Sequence, residues 1–374
     1  MIYAIPYILL YTFYLFLYRK SIYYRGHFSL QSVKNLENIA IITYLLFFGL
    51  RGYIFTDCFQ YHQFYETIDD YSFTSFETLF EPGYVLCNIV LHSINENPFF
   101  FQFVWTTIDL YLICKILRRE TGDYFLLAFA FLIPFFEGVQ MNLFRNIKAI
   151  LIFFWALKYV RTNNFVKYSL SILLASTFHL TALFYWPLYF ILNRKLKYLM
   201  FVISITTIGL YFIGLNSLLD DMAAISIIIG GKFERITTAY IDSAVNTGFT
   251  FGFLYRLFLL CFLLFLYKKL ASKNLIMLNL GILYICCSMA FNDILVLRDR
   301  FTALFTLSMT CILPYIPTAI NLRFYKIGFV AINMFCTYAY TYVQNSTIAA
   351  KYENVLFGVS DRDKAENRIF ESLE

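Results

Sequence analysis

The sequence predicts an all-α, polytopic integral membrane protein with about 12 transmembrane helices, within a range of about 10–14. Hydrophobic residues make up 60% of the 374-residue chain, and the mean hydropathy is +0.64. Only 14% of the residues are charged, which excludes an ordinary soluble domain. Many of the 31 Tyr residues suit the membrane–water interface. We therefore expect one transmembrane domain over residues 1–374.

Apolar runs set the predicted spans. In chain order they cover about 2–18, 37–50, 98–117, 123–138, 146–160, 165–178, 180–193, 198–217, 252–268, 275–291, 301–320 and 324–345. The segment Gly83–Asn95 is left out because Pro82 and Gly83 open it, polar residues interrupt it, and it has only about 13 residues. We predict that this segment is re-entrant or interfacial.

Basic residues indicate the orientation of the predicted spans. Of the 30 Lys and Arg residues, 18 lie in alternate loops, at 19–34, 115–119, 158–167, 194–197, 268–273 and 323–326. The positive-inside rule places these loops in the cytoplasm and both termini outside. The outer loops are then about 51–97 and 217–251, followed by a polar C-terminal tail at 346–374. The net charge of +6 suits membrane lipids, and we expect no nucleic acid partner.

Arginines stand at or near the ends of predicted spans on the outer side. Charges beside hydrocarbon are costly and tend to face a cavity or an anionic partner, so these side chains suggest an anion site. Snorkelling at the interface and ion pairing within the bundle are the alternatives. The residues are Arg51, Arg145, Arg256, Arg298 and Arg300. Arg298 and Arg300, which flank Asp299, would point to different faces of a helix but would share one face of an extended loop.

Short motifs follow one another along the chain, and their order and spacing resemble the EpsG/Wzy-like family of bacterial exopolysaccharide and O-antigen polymerases. The resemblance covers about residues 37–320. Phe55 stands where the family has Gly, and Asn146 stands where it has Gln. The motifs are Arg51-Gly52-Tyr53-Ile54-Phe55-Thr56-Asp57 with Tyr61, Glu81-Pro82-Gly83-Tyr84, Arg145-Asn146-Ile147-Lys148-Ala149, Ala175-Ser176-Thr177-Phe178-His179-Leu180-Thr181-Ala182 and Arg298-Asp299-Arg300.

The resemblance implies a glycosyltransferase with a GT-C-like arrangement in the bacterial cytoplasmic (inner) membrane. Its substrate would be an undecaprenyl-diphosphate-linked oligosaccharide. The growing glycan would pass from undecaprenyl diphosphate to the next lipid-linked repeat unit on the outer face. The sequence leaves open whether a chain-length regulator protein takes part, and it predicts no metal and no cofactor.

The motif residues suit that chemistry. The arginines would stabilise the diphosphate, with Arg145 the first choice because it opens a span at the outer face. His179, between two apolar runs, could be the general base, donate a hydrogen bond to phosphate, or bond a carbonyl at a helix break. Asp57 and Glu81 could supply the base or orient a sugar; Asp57 could instead cap a helix or pair with Arg51.

Two tyrosines of the first outer loop, Tyr53 and Tyr61, could stack on sugar rings, and interfacial anchoring is the alternative. Two other functions remain open for the whole chain. One is an O-antigen ligase or another lipid-linked glycosyltransferase. The other is a flippase or transporter of the lipid-linked oligosaccharide, which should show related halves, and no internal repeat is evident.

Overall fold

The computed structural model describes residues 2–27, 30–68, 80–213 and 250–371. Over these residues the chain forms helices and no β-strand. The all-α prediction is confirmed for this part of the chain. A helix pairs its backbone N–H and C=O groups within one segment, which is what apolar surroundings without water require.

Seventeen α-helices occur in the described residues. They are α1 (Ile5–His27), α2 (Leu30–Tyr44), α3 (Asp57–Glu66), α4 (Pro82–His92), α5 (Pro98–Thr121), α6 (Phe125–Ala130), α7 (Leu132–Asn142), α8 (Asn146–Arg161), α9 (Phe165–Ser176), α10 (Lys197–Ile213), α11 (Phe251–Phe265), α12 (Tyr267–Ala290), α13 (Leu295–Phe305), α14 (Leu307–Ile312), α15 (Ile316–Ala319), α16 (Arg323–Gln344) and α17 (Arg362–Phe370).

Helical segments other than α-helix complete the chain. A π-helical turn, Leu45–Gly49, extends α2, and a 3₁₀ helix covers Leu180–Phe190. Shorter 3₁₀ turns lie at Ile2–Ala4, Gly122–Tyr124, Leu313–Tyr315 and Ile348–Ala350. The predicted span at 180–193 therefore coincides with a 3₁₀ helix, whose rise of about 2.0 Å per residue makes 11 residues about 22 Å long.

Two compact units divide the chain. The first comprises Met1–Phe190 and Val330–Glu374, and the second comprises Ile191–Phe329. The first unit contains α1 to α9, most of α16, and α17; the second contains α10 to α15.

Three helical stretches in the described residues are long and apolar enough to cross a membrane: Ile2–Gly26, Pro98–Ala130 and Tyr267–Ala290. A fourth arises if Leu295–Phe305 and Leu307–Ala319, bent by 42° at their junction, form one span. The structure thus agrees with a membrane protein, while the count of about 12 spans and the GT-C-like arrangement stay predictions.

The segment that the sequence predicted not to cross forms α4. Its 11 residues span about 16 Å, roughly half of a ~30 Å hydrocarbon core. That length is consistent with a re-entrant or interfacial helix. Of the two predicted outer loops, residues 69–79 of the first and most of the second lie outside the described residues.

An aromatic cluster packs around α3, α4 and α5 in the first unit. It includes Tyr61, Phe64, Tyr65, Phe80, Tyr84, Phe101, Trp105 and Phe144, and Phe178 packs against it. Large buried rings contribute most to such a core, and their edges and faces fix the helices at one spacing. This cluster sets the positions of the side chains described next.

The predicted polar tail folds back onto the start of the first predicted outer loop. Ala349, Ala365 and Ile369 share a buried cluster with Tyr53, Cys58 and Phe59. Backbone bonds join the same regions, because the Gly52 amide donates to the Glu353 carbonyl at 2.8 Å. The C-terminal segment is therefore part of the core of the first unit.

Candidate functional site

An ion pair between Arg145 and Glu81 forms the centre of the candidate site. The Arg145 Nη1 donates to Glu81 Oε2 at 2.5 Å, and the two side chains are 19% and 14% exposed. The guanidinium lies 4.5 Å from the centroid of the Phe80 ring. Among the described residues, Arg145 Nη2 has no hydrogen bond partner. The pair is therefore sheltered but reachable, and one donor is unused.

Close backbone contact brings Glu81 to this place. The amides of Gly83 and Tyr84, in the first turn of α4, donate to the carbonyl of Thr177 at 2.9 and 3.3 Å. A Cβ on Gly83 would lie 2.3 Å from Thr177 Oγ1 and 2.9 Å from its carbonyl oxygen, so glycine is required. The start of α4 is thereby fixed on the end of α9, just before His179.

His179 joins the same site through its neighbours. Its Nδ1 lies 2.7 Å from Thr181 Oγ1, which in turn lies 3.3 Å from Asn146 Oδ1 in the first turn of α8. The amide of Leu180 donates to Glu81 Oε1 at 3.3 Å. Three motifs that are far apart in the sequence therefore meet around the N-terminus of α8.

Tyr61 connects α3 to the ion pair. Arg145 Nε donates to its hydroxyl at 3.5 Å, and the ring is 5% exposed. Burial raises the pKa of Tyr61, while Arg145 acts against this rise, so the hydroxyl stays protonated at neutral pH. Asp57 lies one helical turn earlier, on the same face of α3, and its amide donates to Asn142 Oδ1 at 3.3 Å.

Phe55 has a backbone conformation that is unusual for a bulky residue. Its φ angle is +60°, in the left-handed region that favours glycine. The motif pattern that the sequence resembles has Gly at this position, and a bulky residue in this conformation is strained. The Phe55 amide donates to the Ala349 carbonyl at 3.0 Å, which helps to hold the turn.

Two other predicted residues of the first loop are engaged in packing. Arg51 is 1% exposed, and its guanidinium donates to the carbonyls of Phe48, Gln140 and Met141. It thus neutralises helix ends rather than pairing with Asp57. Tyr53 is 7% exposed and stacks on Phe59. Contact of either residue with substrate stays a prediction.

The remaining predicted arginines belong to the second unit. Arg256 lies in α11, and Arg298 and Arg300 lie in α13. Because α13 is a helix, Arg298 and Arg300 are about 200° apart around its axis and point to different faces. Arg298 Nε bonds its neighbour Asp299 at 2.9 Å. Their convergence with Arg145 stays a prediction.

Sequence reasoning missed several residues of the site. Thr181 and Asn146 bridge His179 to α8, and Phe80 covers the guanidinium of Arg145. The order of the motifs placed Asn146 and Thr181 beside predicted residues, but no spacing rule shows that they bond each other. Among the described residues, no group of three His, Cys, Asp or Glu side chains could hold a metal ion.

Comparison with known families identifies the family of this chain. The model of the EpsG family matches residues 34–356, which is most of the chain. The chain belongs to the EpsG family. The family resemblance found from the motifs is confirmed, and the EpsG-family match includes every residue of the Glu81–Arg145–His179 site. No match was found among the curated proteins or among the solved structures.

Each of the three motifs in this EpsG-family chain has a structural role. The Glu-Pro-Gly motif supplies both the carboxylate and the glycine that docks α4 on α9. The central Arg motif supplies the guanidinium and the first turn of α8, and the His motif supplies the link back to that turn. The protein is therefore an EpsG-family membrane protein in which three motifs meet around the N-terminus of α8.

Proposed function

We propose that this protein polymerises lipid-linked polysaccharide repeat units at the outer face of the bacterial cytoplasmic membrane. The product is an O-antigen, a capsule or an exopolysaccharide. The observation that carries the proposal is the Glu81–Arg145 pair with His179 beside it, assembled at the start of α8. EpsG-family membership supports a polymerase-type role for such a site.

The donor side of the reaction needs a cation for the diphosphate. As the glycosidic bond breaks, negative charge grows on undecaprenyl diphosphate, and a fixed guanidinium stabilises it. Arg145 has Nη2 available among the described residues, and it stands at the positive N-terminus of a 16-residue helix. Arg298, Arg300 and Arg256 are proposed to assist from the second unit.

The acceptor side needs a base. The acceptor hydroxyl loses its proton, its oxygen bonds the anomeric carbon of the donor sugar, and the bond from that carbon to the diphosphate oxygen breaks. His179 is the proposed base, because a histidine titrates near neutral pH. Glu81 or Asp57 orients the sugar or takes the proton instead. Tyr61, whose hydroxyl accepts a hydrogen bond from Arg145 Nε, is proposed to help hold that guanidinium in place.

A deletion strain tests the proposal through the banding pattern of its surface glycan. Loss of a polymerase leaves surface glycan capped by a single repeat unit, and the wild-type gene restores the ladder. Arg145→Ala should fail to restore it at normal protein level. Loss of all surface repeats in the deletion strain would instead indicate a ligase or a flippase, and a full ladder from Arg145→Ala would remove Arg145 from the site.

A further inference from the structure

A second ion pair lies one helical turn from Arg145, inside the first unit. Lys148 Nζ contacts Asp109 Oδ2 at 2.6 Å, and the side chains are 4% and 2% exposed. The Lys148 amide also donates to the Arg145 carbonyl at 3.2 Å. Ionisable side chains buried within apolar helices are costly and usually serve function, so this pair calls for an explanation.

The pair fits into a slot on α5. Trp105 and Asp109 are one turn apart on that helix, and the Lys148 ammonium lies 4.6 Å from the centroid of the Trp105 ring. Gln140 of α7 donates to Asp109 Oδ2 at 3.4 Å. One lysine therefore engages a carboxylate and an aromatic face together, which leaves α8 little freedom to rotate or slide against α5.

Stability alone does not account for this pair. Desolvation offsets most of the attraction in a buried ion pair, and well-packed apolar residues of similar volume are often as good or better. Asp109 Oδ1 is also buried without a hydrogen bond partner in the described part of the chain. A buried ion pair with an unbonded carboxylate oxygen contributes little to holding α5 and α8 together, but it fixes their register.

We propose that Lys148 and Asp109 are positioning residues for diphosphate recognition. Their ion pair locks the rotation of the first turn of α8, and so aims the Arg145 guanidinium at the donor phosphates. Trp105 belongs to the same aromatic cluster as Tyr61 and Phe80, which flank that guanidinium. This inference rests on the proposed role of Arg145 in binding the donor diphosphate.

Binding of inorganic pyrophosphate to the purified full-length protein in detergent measures this role without polymerisation. In the apolar double variant Lys148→Met/Asp109→Leu, we expect a melting temperature close to wild type and pyrophosphate binding weakened about tenfold, the loss expected of one misaligned charged hydrogen bond. Arg145→Lys should weaken binding in the wild-type background and add little in the double variant, because the guanidinium is already misaimed.

Two further variants complete the experiment. Asp109→Asn keeps the shape of the side chain and an oxygen for Lys148 but removes the countercharge; it should fold with a lowered melting temperature and lose a smaller part of the affinity. Arg118→Gln, which removes an exposed pair with Glu37 elsewhere in the first unit, is the matched control and should bind like wild type.

Some outcomes would overturn the positioning role. They are wild-type affinity in both Asp109 variants, a lowered melting temperature with intact affinity, or no pyrophosphate binding by the wild-type protein. Failure of the proposed function is distinguishable from these outcomes. A wild-type protein that binds pyrophosphate through Arg145 but does not polymerise lipid-linked repeats would reject the polymerase and retain the positioning role.

Discussion

The two ends of α8, about 24 Å apart, each carry an arginine–carboxylate pair, and the two pairs differ in what they leave unused. At the C-terminal end, Glu120 is fully buried and accepts hydrogen bonds from Arg161 at 2.8 and 2.5 Å and from Arg119 at 2.6 Å. Arg119 also donates to the carbonyls of Phe154 and Trp155. Nearly every polar atom there has a partner within the fold.

The N-terminal end is bonded less completely. Glu81 is 14% exposed, where Glu120 is fully buried; a donor of Arg145 has no partner among the described residues, and aromatic rings flank the pair. The same two residue types therefore serve two purposes. A saturated pair closes a helix end, whereas an unsaturated pair with a histidine beside it is suited to bind and transform a ligand.

Among the substitutions that test this contrast, removal of the proposed base should have the largest effect on polymerisation. His179→Ala is expected to lower the polymerisation rate by about 10²–10⁴-fold, the usual cost of losing a general base, while single-repeat product accumulates. His179→Gln keeps a hydrogen bond but cannot take a proton, and it should be equally impaired. Glycan length in the complemented deletion strain measures both. Near-normal chains from the Gln variant would transfer the role of base to Asp57 or Glu81.

Matched lysine substitutions at the two ends of α8 compare binding with structure. Arg145→Lys should lower polymer yield about tenfold at unchanged melting temperature, because lysine keeps the charge but loses the fork of donors. Arg161→Lys should keep the polymer yield and lower the melting temperature, because its bidentate contact with Glu120 is lost. The opposite pattern, with yield following Arg161 and stability following Arg145, would refute the contrast between the ends.

A glycine substitution should have a moderate effect. Gly83→Ala forces α4 away from Thr177 and is expected to cost about 1–3 kcal/mol of stability, with loss of activity as Glu81 shifts. Gly26→Ala is the matched control, because a Cβ there has no atom within 4 Å. Thermal unfolding in detergent compares the two. Equal melting temperatures would show that the contact at Gly83 can relax freely.

The smallest expected effect is a loss of stability of the C-terminal segment in acid. Burial raises the pKa of Glu353, but hydrogen bonds from Ser360, Lys351 and Arg368 outweigh it and lower the pKa from 4.5 to about 2. A folded-state pKa below the unfolded value gives stability that is present above about pH 4.5 and lost as the pH falls towards 2. Pepsin should therefore release the C-terminal segment progressively faster over that window.

Glu353→Gln is the control for this acid effect. The substitution removes the titrating group, so cleavage of the C-terminal segment should change much less between pH 4.5 and 2 than it does in the wild-type protein. An identical pH profile in both proteins would assign the acid sensitivity to other groups.

The sequence predicted the parts of the site better than their assembly. Composition and apolar runs gave the helical class, and the motif order gave Glu81, Arg145 and His179, because each motif has a recognisable residue pattern. The contact of Gly83 with Thr177 and the slot for Lys148 depend on how helices pack, and no local pattern records that. The burial of Arg51 was equally invisible, since a basic residue at a span end usually indicates an interface.

The fold-back of the C-terminal segment has a consequence for the order of events during synthesis. Arg362 donates a hydrogen bond to Glu66, which lies 296 residues earlier in the chain. Glu66 of α3 can therefore form this bond only after a much later part of the chain has been made. At ribosomal rates of about 5–20 residues per second, that delay is about 15–60 s. The contact between Arg362 and Glu66 therefore forms only after all the helices between α3 and α17 have been made.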